Sequence, residues 1–178
     1  VASAFGHACA AFGIGKLYSG KKQAISFWVL SIVCSIIPDA DTIGFRFGVP
    51  YDSTFGHRGF THSIVFALIM GLFASWLFTK VSGAGKSLRP KLALYFFIVT
   101  ISHPLLDACT TGGLGVAFFS PFSNHRYFFP YHPIKVSPIA VGSFFSEWGL
   151  KVLLSEALWI GLPTLIVVLL ASYIRKSK

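Results

Sequence analysis

The sequence predicts an all-α fold: an integral membrane bundle of about five helical spans, one domain over residues 1–178, with an aromatic cap that is interfacial or re-entrant. Of its 178 residues 54% are apolar and only 12% charged, about half the charged share usual in a soluble globular chain. Mean hydropathy is +0.69, and nineteen phenylalanines contribute to it. Several apolar runs approach the ~20 residues that a helix needs to cross hydrocarbon. Acids are scarce: six Asp and Glu stand against fifteen Lys and Arg, with six His. In a lipid solvent each of them requires a reason.

The first expected span, residues 1–15, is short and rich in Ala and Gly. No basic region precedes it, so a cleavable leader is not expected. The second runs from Gln23 to Ile37, where Pro38 and the polar Asp39-Ala40-Asp41 should end it in an irregular segment. Residues 60–78 form the third span and residues 92–108 the fourth, which carries Pro104. The fifth covers residues 150–174, with Gly161 and Pro163 placed to bend it. Between the last two lies an aromatic stretch from Gly112 to Gly149, too broken by Pro and Gly for a membrane helix and suited to a cap. Cys9, Cys34 and Cys109 are widely spaced, without a CxxC pair, and are expected as small buried residues.

Alternate loops differ in basic residues. One side receives Lys16, Lys21, Lys22, Lys80, Lys86, Arg89, Lys91, Arg175, Lys176 and Lys178; the other receives Arg46, Arg58, Arg126, Lys135 and Lys151 in much longer segments. Excess Lys and Arg mark the cytoplasmic side. The C-terminus is therefore expected in the cytoplasm and both long loops outside. The +9 charge then records threading; nucleic acid is not an expected partner, because the basic clusters do not interleave with stacking aromatics. This threading places all six acids and all six histidines in the outer half or beyond.

Four groups of residues carry the candidate chemistry. His103 and Asp107, four apart on a helix, share one face and can ligate one metal or bridge two. His57 and His62 flank a predicted helix start; His62, in its first turn, is the stronger expected ligand, and His57 is open to a second metal or to substrate. Arg58 between them offers a planar fork suited to phosphate at a helix N-terminus. Asp39 and Asp41 lie two apart, so that one can ligate while the other orients a histidine or serves as general base. His7, amid small residues that permit close helix approach, completes the expected ligand set.

Imidazole with carboxylate and without clustered thiolates suits one or two zinc ions, with manganese or iron as alternatives. The chemistry expected of such a site is attack by metal-activated water on a phosphorus or carbonyl centre. No nucleophile elbow, phosphate-binding loop or dinucleotide fingerprint competes with it.

Pro38-Asp39-Ala40-Asp41, the block from His57 to Ser63 and His103-Pro104-Leu105-Leu106-Asp107 together resemble the YdjM-like family of bacterial inner-membrane proteins, predicted to be metal-dependent hydrolases. More distantly, the order His7, Asp39 or Asp41, His62 or His57, then His103 and Asp107 is similar to the zinc-dependent phospholipase C group. That group uses a bridging helical Asp and a third zinc completed by an HxxxE. His125 and His132 here have no Glu four residues on, so one or two ions are expected. The resemblance implies a bacterial inner-membrane hydrolase acting on a lipid or lipid-linked phosphoester at the periplasmic or outer face. A metal or solute transporter using the same residues is the alternative; it predicts a second polar station in the cytoplasmic half, which the sequence does not offer.

Overall fold

The computed structural model describes residues 1–19, 23–139 and 141–176, so Lys21, Lys22 and Lys178 of the threading pattern lie outside the described residues. Seven α-helices are described: α1 Ala4–Tyr18, α2 Ile25–Ile36, α3 Ile64–Ser82, α4 Arg89–Ala108, α5 Val141–Phe144, α6 Glu147–Glu156 and α7 Leu162–Lys176. No strand occurs among the described residues beyond two isolated bridges, Thr110 with Ile134 and Val116 with Tyr127.

Among the described residues four segments are long and apolar enough to cross a membrane: Ile25–Phe47, Ile64–Ser82, Lys86–Ala108 and Glu147–Lys176. The expected first span is present as α1, but its 15 residues fall short of the ~20 of a standard span. It packs inside the bundle against α2, α4 and α7. Glycine makes that possible. A Cβ at Gly13 would stand 2.7 Å from Thr164, and one at Gly15 would stand 2.6 Å from Trp28.

Two boundaries differ from expectation. Pro38 does not end the second segment. The helix tightens there into a 3-10 helix, Ile37–Phe47, in which a proline near the start sacrifices no needed donor. Asp39 and Asp41 are thus held on regular structure, not on an irregular segment. The third span begins at Ile64, capped by Ser63, whose hydroxyl accepts from the Phe66 amide. His62 belongs to a separate 3-10 turn, Phe60–His62, and not to the first turn of α3. In the last span the bend expected near Gly161 is a π-helical turn, Ala157–Gly161.

The core is aromatic. Phe27, Tyr95 and Phe96 are buried with Ala11, Cys34, Phe78 and Val99, and Phe27 stacks on Tyr95 at 4.7 Å. Ser31 donates to the Phe27 carbonyl, so the Tyr95 hydroxyl 2.7 Å away donates to Ser31. Each buried hydroxyl is thereby satisfied, as a medium without water demands. The cysteines are unpaired, with Cys34 buried and the other two partly so. By contrast α7 has no buried residue. Leu165, Ile166, Leu169 and Leu170 all face outward, a surface suited to lipid tails.

Of the stretch expected as a cap, residues 112–149, the part up to residue 139 folds over the C-terminal end of α4, whereas α5 and the start of α6 occupy its last part. Backbone bonds tie it down: Ala117 donates to the Arg58 carbonyl, Ile64 to Phe118, and Phe129 to Ala108. Large aromatics on this cap and its neighbours, Phe47, Phe55, Phe122 and Phe145, are more than two-thirds exposed. Amphipathic or aromatic rings in such positions suit the membrane–water interface.

Candidate metal centre

One end of the bundle collects the ionisable residues. The 3-10 segment Ile37–Phe47 brings Asp39 and Asp41, the turn before α3 brings His57 and His62, α4 brings His103 and Asp107, and α1 brings His7. The glycines of Gly56-His57-Arg58-Gly59 shape the turn. A Cβ on Gly56 would strike the Pro50 and Tyr51 carbonyls, and one on Gly59 would strike those of Thr54 and Gly56. Between them Arg58 adopts φ +62°, a left-handed conformation that costs a non-glycine residue about 1–2 kcal/mol. Bonds at both ends of the residue offset the cost: its amide donates to Asp41 and its carbonyl accepts from Ala117.

Three donor atoms point at one another. His62 Nε2 and His103 Nε2 lie 3.1 Å apart. Asp39 Oδ1 is 3.5 Å from the first and 3.4 Å from the second. Asp107 Oδ2 joins them at 3.5 Å and 3.8 Å. These four residues form one ligand-capable group; Asp41, His57 and His62 form a second, sharing His62. His7 stands outside both, stacked on His103 at 3.6 Å with Nε2 3.4 Å from Asp107 Oδ1.

The hydrogen bonds fix how each imidazole presents itself. His103 Nδ1 donates to the Ser35 carbonyl at 2.7 Å, which leaves Nε2 as a lone pair. His62 turns Nδ1 toward Asp41 Oδ2 at 3.2 Å and meets His103 through Nε2, the nitrogen it would offer to a metal in place of that bond. His57 turns Nδ1 to Asp41 Oδ1 at 2.6 Å. Carboxylate or carbonyl behind each ring is the arrangement that orients a histidine for a metal. Asp41 also accepts from Thr61 at 2.6 Å, so its oxygens are fully engaged, whereas Asp39 Oδ1 and Asp107 Oδ2 are buried without a hydrogen-bond partner.

Three features fit a bound cation. Two imidazole nitrogens face each other at 3.1 Å, two buried carboxylate oxygens beside them make no hydrogen bond, and three carboxylates gather around one guanidinium. Asp39, Asp41 and Asp107 meet a single buried guanidinium, that of Arg58. Its Nη1 donates to Gly112 O and its Nη2 to Thr110 Oγ1, with Nε 3.3 Å from Asp107. The fork expected to meet a phosphate is turned instead to protein acceptors, and Arg58 is wholly buried. Its position makes it the counter-charge of Asp107.

The model of the family described as YdjM inner membrane protein matches residues 3–178. The chain belongs to this family. A relative, Inner membrane protein YbcI of Escherichia coli (strain K12), is 37% identical over 161 residues, covering 90% of this chain and 91% of that one. No solved structure matches. Membership and the apolar helices together establish a membrane protein of the YdjM family with a His/Asp cluster able to hold a metal ion. The likeness to the zinc-dependent phospholipase C group rests on residue order alone.

Other residues at this end were less legible. Arg126 donates to the carbonyls of His57 and Tyr51, each at 2.9 Å, and so braces the turn from the cap; a lone Arg in an aromatic loop carries no sequence signal of that role. The Tyr51 ring stands edge-on to His57, and burial raises its hydroxyl above the ordinary value. Glu156 accepts from the amide and hydroxyl of Ser3, clamping the start of α1 to the last span. His125 and His132 are exposed on the cap and contact Tyr127 and Phe128, away from the cluster.

Proposed function

We propose that the protein is a membrane-bound, metal-dependent hydrolase that cleaves a phosphoester of a lipid or lipid-linked substrate, phospholipase C-like in its chemistry, at the outer face of a bacterial inner membrane. The observation that carries the reading is the convergence, in a buried cluster, of the Nε2 atoms of His62 and His103 with Asp39 and Asp107 oxygens that make no hydrogen bond. His62, His103, Asp39 and Asp107 would hold the ion, with His7 and His57 as adjoining donors. Zinc suits this set best, and manganese or iron also accept it. When bound, a divalent ion supplies Lewis acidity and lowers the pKa of water toward neutrality.

The chain's own groups divide the remaining work. Asp41, with every oxygen occupied, orients His57 and His62. Asp39 is the member of the set with an exposed side chain, at 21% against 2% or less for Asp41, Asp107 and His62. It is therefore the group positioned to receive a proton from an attacking water. Arg58 holds Asp107 in place and limits the negative charge that a phosphoester would meet. Transport would require a second polar station, and among the described residues both ligand-capable groups share His62.

Metal analysis of the purified protein, paired with a phosphate-release screen over membrane lipids, tests this reading. Wild type is expected to carry near-stoichiometric metal and to release phosphate or a phosphorylated headgroup, and His103→Ala to lose both. Metal content unchanged when His62→Ala and Asp107→Ala are combined would remove the basis for the proposal.

A further inference from the structure

The cluster is sealed on nearly every side. His7, His57, His62, His103 and Asp107 are all at most 1% exposed, so anything that reacts there must arrive past Asp39. A cavity of about 180 Å³ opens at that point. Its walls include Ser3 at the N-cap of α1, Asp39 and Thr42 of the 3-10 segment, and Ser137, Pro138 and Ile139 of the cap segment. Asp39 and Thr42 are three apart, which in a 3-10 helix puts them on the same face. Thr42 Oγ1 donates to the Asp39 carbonyl at 2.8 Å, so its proton reaches a ligand only by leaving that carbonyl, and its part at the mouth is chiefly steric. The Ser137 hydroxyl makes only a long bond, 3.3 Å, to Pro138 O, and can be redirected.

We infer that this cavity is the mouth of the site, that it admits a single oxyanion of phosphate or carboxylate size, and that Thr42 and Ser137 decide what fits. The inference rests on the metal-hydrolase reading for one element only, the cation beside Asp39. No Lys or Arg lines the mouth. Arg58 and Arg126, at the same end of the bundle, spend their donors on Gly112, Thr110, His57 and Tyr51. An oxyanion entering here would find the Ser137 hydroxyl free to turn toward it on one wall and Thr42 shaping the other, and its charge partner would be the cation held beside Asp39. By the ~10–15 Å³ that one water requires in this measure, the volume accepts a phosphate with several waters.

Two readouts test the mouth without relying on turnover: the rate at which a chelator strips metal from the loaded protein in detergent, and calorimetric binding of inorganic phosphate to it. Thr42→Trp fills the mouth from the 3-10 wall, Ser137→Tyr fills it from the opposite one, and Thr42→Ser keeps the hydroxyl. Both plugged variants should retain wild-type metal content, lose metal about ten-fold more slowly or slower still, and fail to bind phosphate. Thr42→Ser should behave as wild type. Should one plug fail to fold, the other decides. A plugged, metal-loaded protein that strips and binds phosphate like wild type overturns the mouth while leaving the hydrolase reading intact. Wild type that binds no metal overturns the hydrolase reading itself, and the inference with it.

Discussion

Asp41 accepts from His57, the Arg58 amide and Thr61, and faces His62 Nδ1. One carboxylate thus sets two imidazoles and the turn that carries them. Removing its charge while keeping its shape, as in Asp41→Asn, should weaken metal binding about 10–100-fold, measured by competition with a chelating dye; unchanged affinity would mean that Asp41 orients nothing. Such a division between Asp39 and Asp41 was open in the sequence, because spacing cannot say which of two nearby carboxylates finds other donors. His103 and Asp107 were plainer, since a helical repeat alone puts them on one face. Arg58 was legible as important but not in direction. Its fork meets Gly112 and Thr110, more than fifty residues on, and contacts so distant leave no local pattern. Arg58→Lys offers a point charge without the fork and should cost about 1–3 kcal/mol, seen as a lower melting temperature in detergent. A melting temperature equal to wild type would show that the fork's two bonds are not needed.

The 3-10 segment and the glycine contacts belong to a different level of legibility. Hydropathy reports that residues 38–47 are less apolar than those before them, yet it cannot distinguish a tightened helix from a loop. The consequence is functional, for the three-residue repeat aligns Asp39 with Thr42. Close helix approach was anticipated for the small residues around His7, and α1 bears it out at Gly13 and Gly15. A contact against less yielding atoms, however, joins α3 to α4; His103 lies on α4 and His62 in the turn that precedes α3. A Cβ at Gly71 would stand 2.7 Å from the Ala93 carbonyl and 2.9 Å from the Phe97 amide, and backbone cannot yield as a flexible side chain does. Gly71→Leu should therefore destabilise the protein by about 1–3 kcal/mol through overpacking. Gly85→Ala, whose nearest neighbour is Ser87 Oγ at 3.6 Å, should stay within about 0.5 kcal/mol. Thermal unfolding in detergent compares them, and equal melting temperatures would show that α3 and α4 can separate without cost.

The molecule is polar along its length. Carboxylates and histidines gather where the start of α1, the 3-10 segment, the turn before α3 and the end of α4 meet, with Glu156 at the end of α6 tied to Ser3. The opposite end carries Lys16, Lys80, Lys86, Arg89, Lys91 and Arg175. Several of these are used: Arg89 donates to Thr79 at 3.0 Å, and Arg175 caps α1 through the Lys16 and Leu17 carbonyls at 2.7 and 2.6 Å. A cation at a helix C-terminus is favourable in its own right, so this basic end serves helix capping as well as threading. Because the basic excess governs insertion, that end is expected in the cytoplasm and the metal centre outside. A green fluorescent protein fused after residue 178 should then fluoresce, since it matures only in the cytoplasm. Asn124→Cys, on the exposed cap beside Thr54, should react with a membrane-impermeant maleimide in intact cells once the outer membrane is permeabilised. The native cysteines are at least partly buried, and the parent protein supplies their background. A dark fusion together with a cap that labels only after lysis would turn the molecule over. The substrate would then be sought in the cytoplasmic leaflet, and the basic residues would be capping groups whose threading role had been overestimated.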